Sequence, residues 1–322
     1  MFITRLKNMK KIVAACLAAL LCFSLPTVLH AQDSPFNFLR LVSGARASAL
    51  SGAVVSIPGD ISMVYYNPAL VNTLGKNNFN ASFLKHVLDI NSGTVSYSPE
   101  LEIDGTLAAS VGFNSNGSFN YYDKQGNEGG TFSANDLAFG VSYANKLDTN
   151  LHYGVTAKYI HVSIEEYSTS ALAFDLGLFY EIPDKRTNIG FSILHLGTQF
   201  GKISEEGESL PIDARIGVNH RLKGLPLLVN FSFHHLADEV DGFFDRFKGF
   251  AIGGEFYFGE YIEVRLGYNN KVRNLTHADA ESGLTGLSGG LGIKTDVLNF
   301  DYGYSKYGSA VDLHRFSIGL EI

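Results

Sequence analysis

The chain has 322 residues, of which 18% are charged and 12% aromatic, with a formal net charge of −7. That acidic balance excludes a general nucleic-acid binder, which needs a basic surface to meet phosphate. No apolar run beyond Ala31 approaches the ~20 residues a spanning helix requires, so any membrane crossing must be made by strands.

The first element is an address. Arg5, Lys7, Lys10 and Lys11 form a basic start, Ile12 to Val28 an apolar stretch interrupted at Pro26, and Ala31–Gln32 a cleavage point. The pattern is that of a secretory signal peptide over residues 1–31. Ser24 and Pro26 spoil a transmembrane anchor, and the apolar run before Cys16 is too short for a lipoprotein leader. Removing residues 1–31 takes four bases and both cysteines, Cys16 and Cys22. What remains is 291 residues with 21 bases against 32 acids, a net charge of −11. A secreted chain without disulfides must be held by a large core or by a closed hydrogen-bonded sheet.

Residues 32–77 differ from everything after them. Between Phe36 and Leu74, Ala45, Ala47, Ala49 and Ala53 alternate with Ser43, Gly44, Ser48, Ser51 and Gly52, so there is little side-chain bulk. Such a segment can lie close to other backbone, as a plug inside a wide tube must. Arg46 is the single base in its small-residue run and is expected to tether it to inward acids. The segment closes on Asn67-Pro68-Ala69, where Asn67 suits a helix N-cap and Pro68 the first helical position.

From residue 78 the dominant signal is alternation with a period of two, punctuated by turn residues. It predicts strands over 78–86, 90–98, 105–114, 135–145, 150–162, 170–181, 187–197, 211–221, 226–236, 248–258, 261–270, 286–294, 298–306 and 312–322. The even count and the lengths suit tilted strands, which cross a bilayer in about 9–11 residues. The connections alternate between short turns and longer polar loops, among them 115–134, 198–210, 237–247 and 271–285. Outer-membrane barrels sort their connections in this way. The strands 90–98 and 189–197 alternate poorly, so their faces are open.

Charges fall on the parity opposite the large apolar side chains, at Lys158, Asp175, Asp213, Arg215, Glu255, Glu263, Arg265 and Asp301. A base facing lipid at mid-depth costs about 2–4 kcal/mol, so these charges are expected to face the lumen. Side chains alone cannot fill the lumen of a barrel this wide, which favours a polar bore holding a plug. Tyr97, Tyr143, Tyr153, Tyr180, Phe258, Tyr261 and Tyr268 lie near strand ends, as interfacial girdles do. The expected fold is therefore all-β: a transmembrane antiparallel barrel of about 14 strands over 78–322, with residues 32–77 as its plug.

Motifs for chemistry are weak. Gly286-Leu287-Ser288-Gly289-Gly290 matches a nucleophile elbow but runs on into strand, where that chemistry needs a helix. Ser82 and Lys85 of an S-x-x-K match would face opposite sides of a strand. His234 and His235, the only close histidine pair, would do the same and could not share a metal ion. No glycine-rich phosphate loop is present, and no catalytic residue, metal or cofactor is assigned. Gly253, Gly254, Gly289 and Gly290 are expected at close-packing positions. Acidic loop tips at Glu165, Glu166, Glu205, Glu206, Glu208, Asp238, Glu239 and Asp241 are either solvated loops or a docking surface for a basic partner.

With plug and barrel in view, the chain resembles the PorV/PorQ family of type IX secretion systems, a FadL-like outer-membrane branch, and is most like PorQ. The likeness is carried by Phe38-Leu39, the run Ser43 to Ala53, Asn67-Pro68-Ala69-Leu70, Leu88 to Asn91, Gly130 to Asp136, and Asn188-Ile189-Gly190. It implies a non-enzymatic protein in outer-membrane lipid, anchoring the surface complex that receives and retains secreted cargo. The partners it implies are a PorZ-like surface protein, PorU and PorV. The alternative is a FadL-like transporter of long-chain fatty acids or other hydrophobic small molecules, with Val54, Val55, Ile57, Met63, Val64 and Tyr65 lining its pocket.

Overall fold

The structure is a computed structural model and describes residues 34–75, 77–85, 90–122, 125–201, 209–275, 283–308 and 311–321. The expected signal peptide lies outside the described residues. Fourteen strands are present among them, most within a few residues of the expected bounds. They are β1 (Asn78–Lys85), β2 (Asn91–Ser98), β3 (Thr106–Tyr122), β4 (Glu128–Asp148), β5 (Leu151–Ile164), β6 (Tyr167–Ile182) and β7 (Thr187–Phe200). After them come β8 (Asp213–Arg221), β9 (Leu227–Phe233), β10 (Phe250–Phe258), β11 (Ile262–Asn269), β12 (Leu287–Lys294), β13 (Leu298–Lys306) and β14 (Asp312–Glu321).

Each strand pairs antiparallel with its sequence neighbours, and β1 closes the ring against β14 with Phe83 opposite Phe316. Closure matters in lipid, where each unpaired backbone group of an open edge would cost several kcal/mol. No helix of the described residues is long and apolar enough to cross a membrane.

The parity of the alternation fixes which face is wet. On β6, Phe174 is 53% exposed while its neighbour Asp175 is fully buried. On β11, Leu266 is 60% exposed while Arg265 is 1% exposed. The pattern recurs around the ring, with Phe83, Phe139, Leu172, Leu291, Phe300 and Phe316 outside and Ser82, Ser142, Asn230, Glu255, Ser305 and Ser317 inside. This is a soluble protein turned inside out, an apolar belt around a polar bore, which is the arrangement of an outer-membrane barrel.

Two expectations need correcting, and the faces left open at 189–197 are now defined. Residues 115–134 are largely not a loop, because β3 and β4 run on as a two-stranded ribbon, with Phe119 stacked on Phe132 at 5.3 Å. A register shift after Ser115, with Gly117 at φ +79°, absorbs the bend that made the stretch look like coil. The poor alternation of β7 comes from a bulge in which Leu194 and His195 together oppose Asp175 and both point inward. His195 takes a φ of +64° to do so. Strand β9 stops at Phe233 for the same reason, because His235 takes φ +57°, leaving His234 buried and His235 with its ring 3.4 Å from the buried Asp213. The premise that these two rings face opposite ways is therefore wrong, and they meet edge to face at 4.8 Å.

Candidate functional site

The bore is occupied by the segment that precedes β1. Ser34 Oγ donates to Ser209 O, and Arg40 pairs with Asp238 at 2.6 Å, so the described segment starts at the loop end of the barrel. It descends through the short helix Ala45–Ala49, turns at Asp60 beside the turn-end charges, and returns through the 3-10 helices Ile61–Tyr65 and Pro68–Thr73.

Asn67 and Pro68 stand where a helix start needs them. The Asn67 side-chain oxygen Oδ1 accepts from Ala69 N at 3.1 Å, and Pro68 occupies the first turn. The Asn67 amide then donates to Val55 O within the plug and to Leu178 O in the wall, both at 3.0 Å. Ser43 N donates to the Tyr66 hydroxyl at 2.7 Å, and that hydroxyl donates back to Ser43 O at 2.8 Å. Burial pushes the Tyr66 pKa up to about 12 against the pull of Arg215 and Arg315, so this donor is permanent.

The wall meets the plug with its smallest residues. A Cβ on Gly154, Gly177, Gly190, Gly267, Gly290 or Gly303 would strike plug atoms, for instance Leu50 C at 2.7 Å from Gly267. Wall serines complete the fit. Ser317 Oγ accepts from Ala45 N, Ser305 Oγ lies 2.8 Å from Ser48 Oγ, and Ser288 Oγ donates to Ala49 O. Ser288, the middle of the elbow-like match, is thus committed to the plug. Gly253 and Gly290 face inward against Leu50 and Ala49, whereas Gly254 and Gly289 have the other parity and no close approach.

The charges expected in the lumen gather in three clusters. At the turn end, Arg46 bonds Glu255 at 2.9 and 2.7 Å and Asp60 at 3.2 Å, and Arg265 bonds Glu255, Glu263 and Asp301. Burial alone would lower the Arg46 pKa, but Glu255 and Asp60 outweigh it and hold the guanidinium well above its ordinary value. The second cluster pairs Lys158 with Asp175 at 2.5 Å, with His195 N donating to Asp175 at 2.9 Å. In the third, Arg215 pairs with Asp213 at 2.5 Å, with His235 N donating to Asp213 at 2.7 Å.

The second and third clusters have the same plan, with an inward Asp, a cation and a bulged His in the left-handed conformation. The signal for this was in the sequence, unread, as the repeat Phe191-Ser192-Ile193-Leu194-His195-Leu196 and Phe231-Ser232-Phe233-His234-His235-Leu236. Arg315 was also missed. It is 5% exposed and has no hydrogen-bond or ion-pair partner among the described residues. It faces a cavity in the loop-end half whose apolar wall includes Phe38, Leu39, Val42 and Leu84 and whose polar wall includes Lys158 and Arg215.

Of the expected pocket residues, only Tyr65 borders this cavity. Val54, Val55, Ile57, Met63 and Val64 are buried in the plug. Among the acidic tips, Glu165 and Glu166 form the exposed β5–β6 turn, and Glu239 and Asp241 are exposed beyond β9. Asp238 is withdrawn from that surface because Arg40 and Lys271 hold it. Glu205, Glu206 and Glu208 lie outside the described residues.

The family described as type IX secretion system protein PorV matches residues 30–211, more than half of the chain, covering the plug and the first strands. No curated protein sequence matches. Among solved structures, the toluene transporter TodX of Pseudomonas putida aligns with a TM-score of 0.55 at 11% identity, over 87% of this chain and 96% of that one. The toluene transporter TbuX of Ralstonia pickettii gives 0.55 at 12%, over 87% and 97%. A FadL homologue of Pseudomonas aeruginosa gives 0.51 at 10%, over 86% and 97%. At such identities the likeness is one of fold alone.

Proposed function

We propose, from the premise that this chain belongs to the PorV family of type IX secretion system proteins, that it is a non-enzymatic outer-membrane anchor for the cell-surface complex that receives and retains secreted cargo. Within that family we take it as PorQ-like, on the stretch Gly130 to Asp136, with a PorZ-like surface protein, PorU and PorV as partners. Residues 1–31 are removed at export, 32–77 form the plug and 78–322 the barrel. The short turns then face the periplasm and the ribbon of β3 and β4 faces outward. Glu165, Glu166 and Asp241 are exposed acids that a basic partner would meet.

The observation that carries this reading, beside the family match, is the fit of plug to wall. A segment wedged against glycines and bonded to wall serines suits a fixed scaffold rather than a conduit that must open. Isolation of the protein from outer membrane tests it, with secretion components expected in the eluate. Deletion of the gene is expected to release cargo into the medium instead of leaving it on the cell. Cargo still held at the surface after deletion would refute the reading.

A second reading rests on Arg315. A buried cation without an acceptor among the described residues, beside an apolar wall, suits an amphiphile with an anionic head, in keeping with the FadL-like alternative. Direct binding of long-chain fatty acid by the purified barrel, lost in Arg315→Leu, would favour it.

A further inference from the structure

The loop after β9 carries an apolar surface that the plug and the bore do not use. Within the 3-10 helix Phe243–Lys248, Phe243 is 66% exposed and Phe244 82% exposed, and Phe247 points the same way at 37%. Aromatic side chains this bare are rarely left in water by a folded protein.

Their neighbours say what covers them. Phe247 packs edge to face on Phe233 at 5.3 Å, Phe233 on Phe231 at 4.9 Å, and Phe231 stacks on Phe250 at 6.1 Å. Phe231, Phe233 and Phe250 are on the outward parity of β9 and β10, since Ser232, between the first two, and Ala251, next after the third, are paired with each other and buried inside. The helix therefore folds outward over the barrel rim, and its rings extend the apolar belt past the strand ends without a break. Its polar residues add a charge match. Arg246 and Lys248 flank the rings, and Asp245 engages Lys248.

We infer that Phe243, Phe244 and Phe247 are a foot set into the outer leaflet, with the rings among acyl chains and Arg246 and Lys248 among anionic lipid headgroups. Short segments with aromatics on one side and bases on the other settle at that depth of a bilayer. The inference rests on the reading of the barrel as an outer-membrane protein, and the experiment separates the two.

The chain contains no tryptophan, so a single introduced one reports its own surroundings. Phe244→Trp and, separately, Phe243→Trp are placed in the full protein and reconstituted into phosphatidylethanolamine–phosphatidylglycerol vesicles. Leu291→Trp, on the outward face of β12, serves as the reference for the belt. The probes are lipids brominated close to the headgroup or deep in the acyl chain, and aqueous iodide. The foot predicts blue-shifted emission at positions 243 and 244, lost most strongly with the shallow bromolipid and little with iodide. Quenching at 291 but not at 243 or 244 overturns the foot and leaves the membrane reading intact, whether those positions are iodide-accessible or shielded by protein. Absence of bromolipid quenching at all three overturns both.

Discussion

The Asn67 side chain occupies the space that a side chain on Gly177 would need. A Cβ built on Gly177 falls on Asn67 Oδ1, the atom that caps the helix at Ala69 N. Wall and plug are therefore matched residue to residue, with the wall contributing an absence and the plug an amide. Gly177→Val is expected to push the Asn67 cap off its site and cost roughly 1–3 kcal/mol, as overpacking does. Gly254→Ala, whose Cβ would meet nothing closer than 3.5 Å, is expected to stay within about 0.5 kcal/mol of the parent. Urea midpoints of the detergent-solubilised proteins check the contrast.

Arg46 and Glu255 form the tether between plug and wall, with Glu255 fully buried and Arg46 15% exposed. Arg46→Met leaves Glu255 with Arg265 and the Tyr257 hydroxyl and leaves Asp60 without its base, an expected loss of about 3 kcal/mol. The pair should also be coupled. A double-mutant cycle with Glu255→Gln should give an interaction energy of roughly 0.5–3 kcal/mol, where independent sites would give none. The readout is the temperature at which the protein stops running as a compact species on a gel.

Stability should depend on pH through His234. Burial, and then the positive Arg215, depress its pKa from 6.5 to about 4, with Asp213 and Asp238 pulling the other way and Lys271 adding to the depression. His235 is lowered well below its ordinary value, chiefly by burial. Between pH 6.5 and 4 the unfolded chain binds protons that the folded one refuses, so stability is complete above this window and falls as the pH drops through it. For His234 the full loss is on the order of 3 kcal/mol. His234→Asn should flatten that part of the profile, which denaturation midpoints across the range would show.

Arg315 separates the two functional readings by stability as well as by ligand. An unpaired buried cation is a cost to the empty fold, so Arg315→Leu should leave the barrel as stable as the parent or raise it by about 1 kcal/mol. Marked destabilisation on urea titration would instead mean that the guanidinium is satisfied by the protein.

Much of the architecture was legible because the period of two survives in β6, β11, β13 and β14 and because the charges there sit opposite the oily parity, apart from Lys306 and Asp312, which pair with each other at the strand ends. The same rule failed where the backbone leaves the extended region. Leu194-His195 and His234-His235 cannot be placed by counting, since a left-handed φ at one residue resets the parity of the next. The ribbon of β3 and β4 was hidden by its composition, for Asn, Gly and Ser are turn formers whose pairing depends on the partner strand. Asp238 looked like a loop acid because Arg40, which claims it, lies 198 positions away in the chain. Arg315 stood out only once its surroundings were known, because a missing partner leaves no mark in a linear sequence.

The account depends on a plug that stays in place while the protein works. Ser48 and Ser305, one on the plug and one on β13, hold their hydroxyl oxygens 2.8 Å apart, and residues 32–322 contain no cysteine to compete. The decisive measurement is the partition of cargo between cell surface and medium in cells whose only copy is oxidised Ser48→Cys/Ser305→Cys. The account predicts that the disulfide forms in the outer membrane and that cargo is retained as in the parent. Failure of the two thiols to join, or cargo shed into the medium by the locked protein, would contradict it.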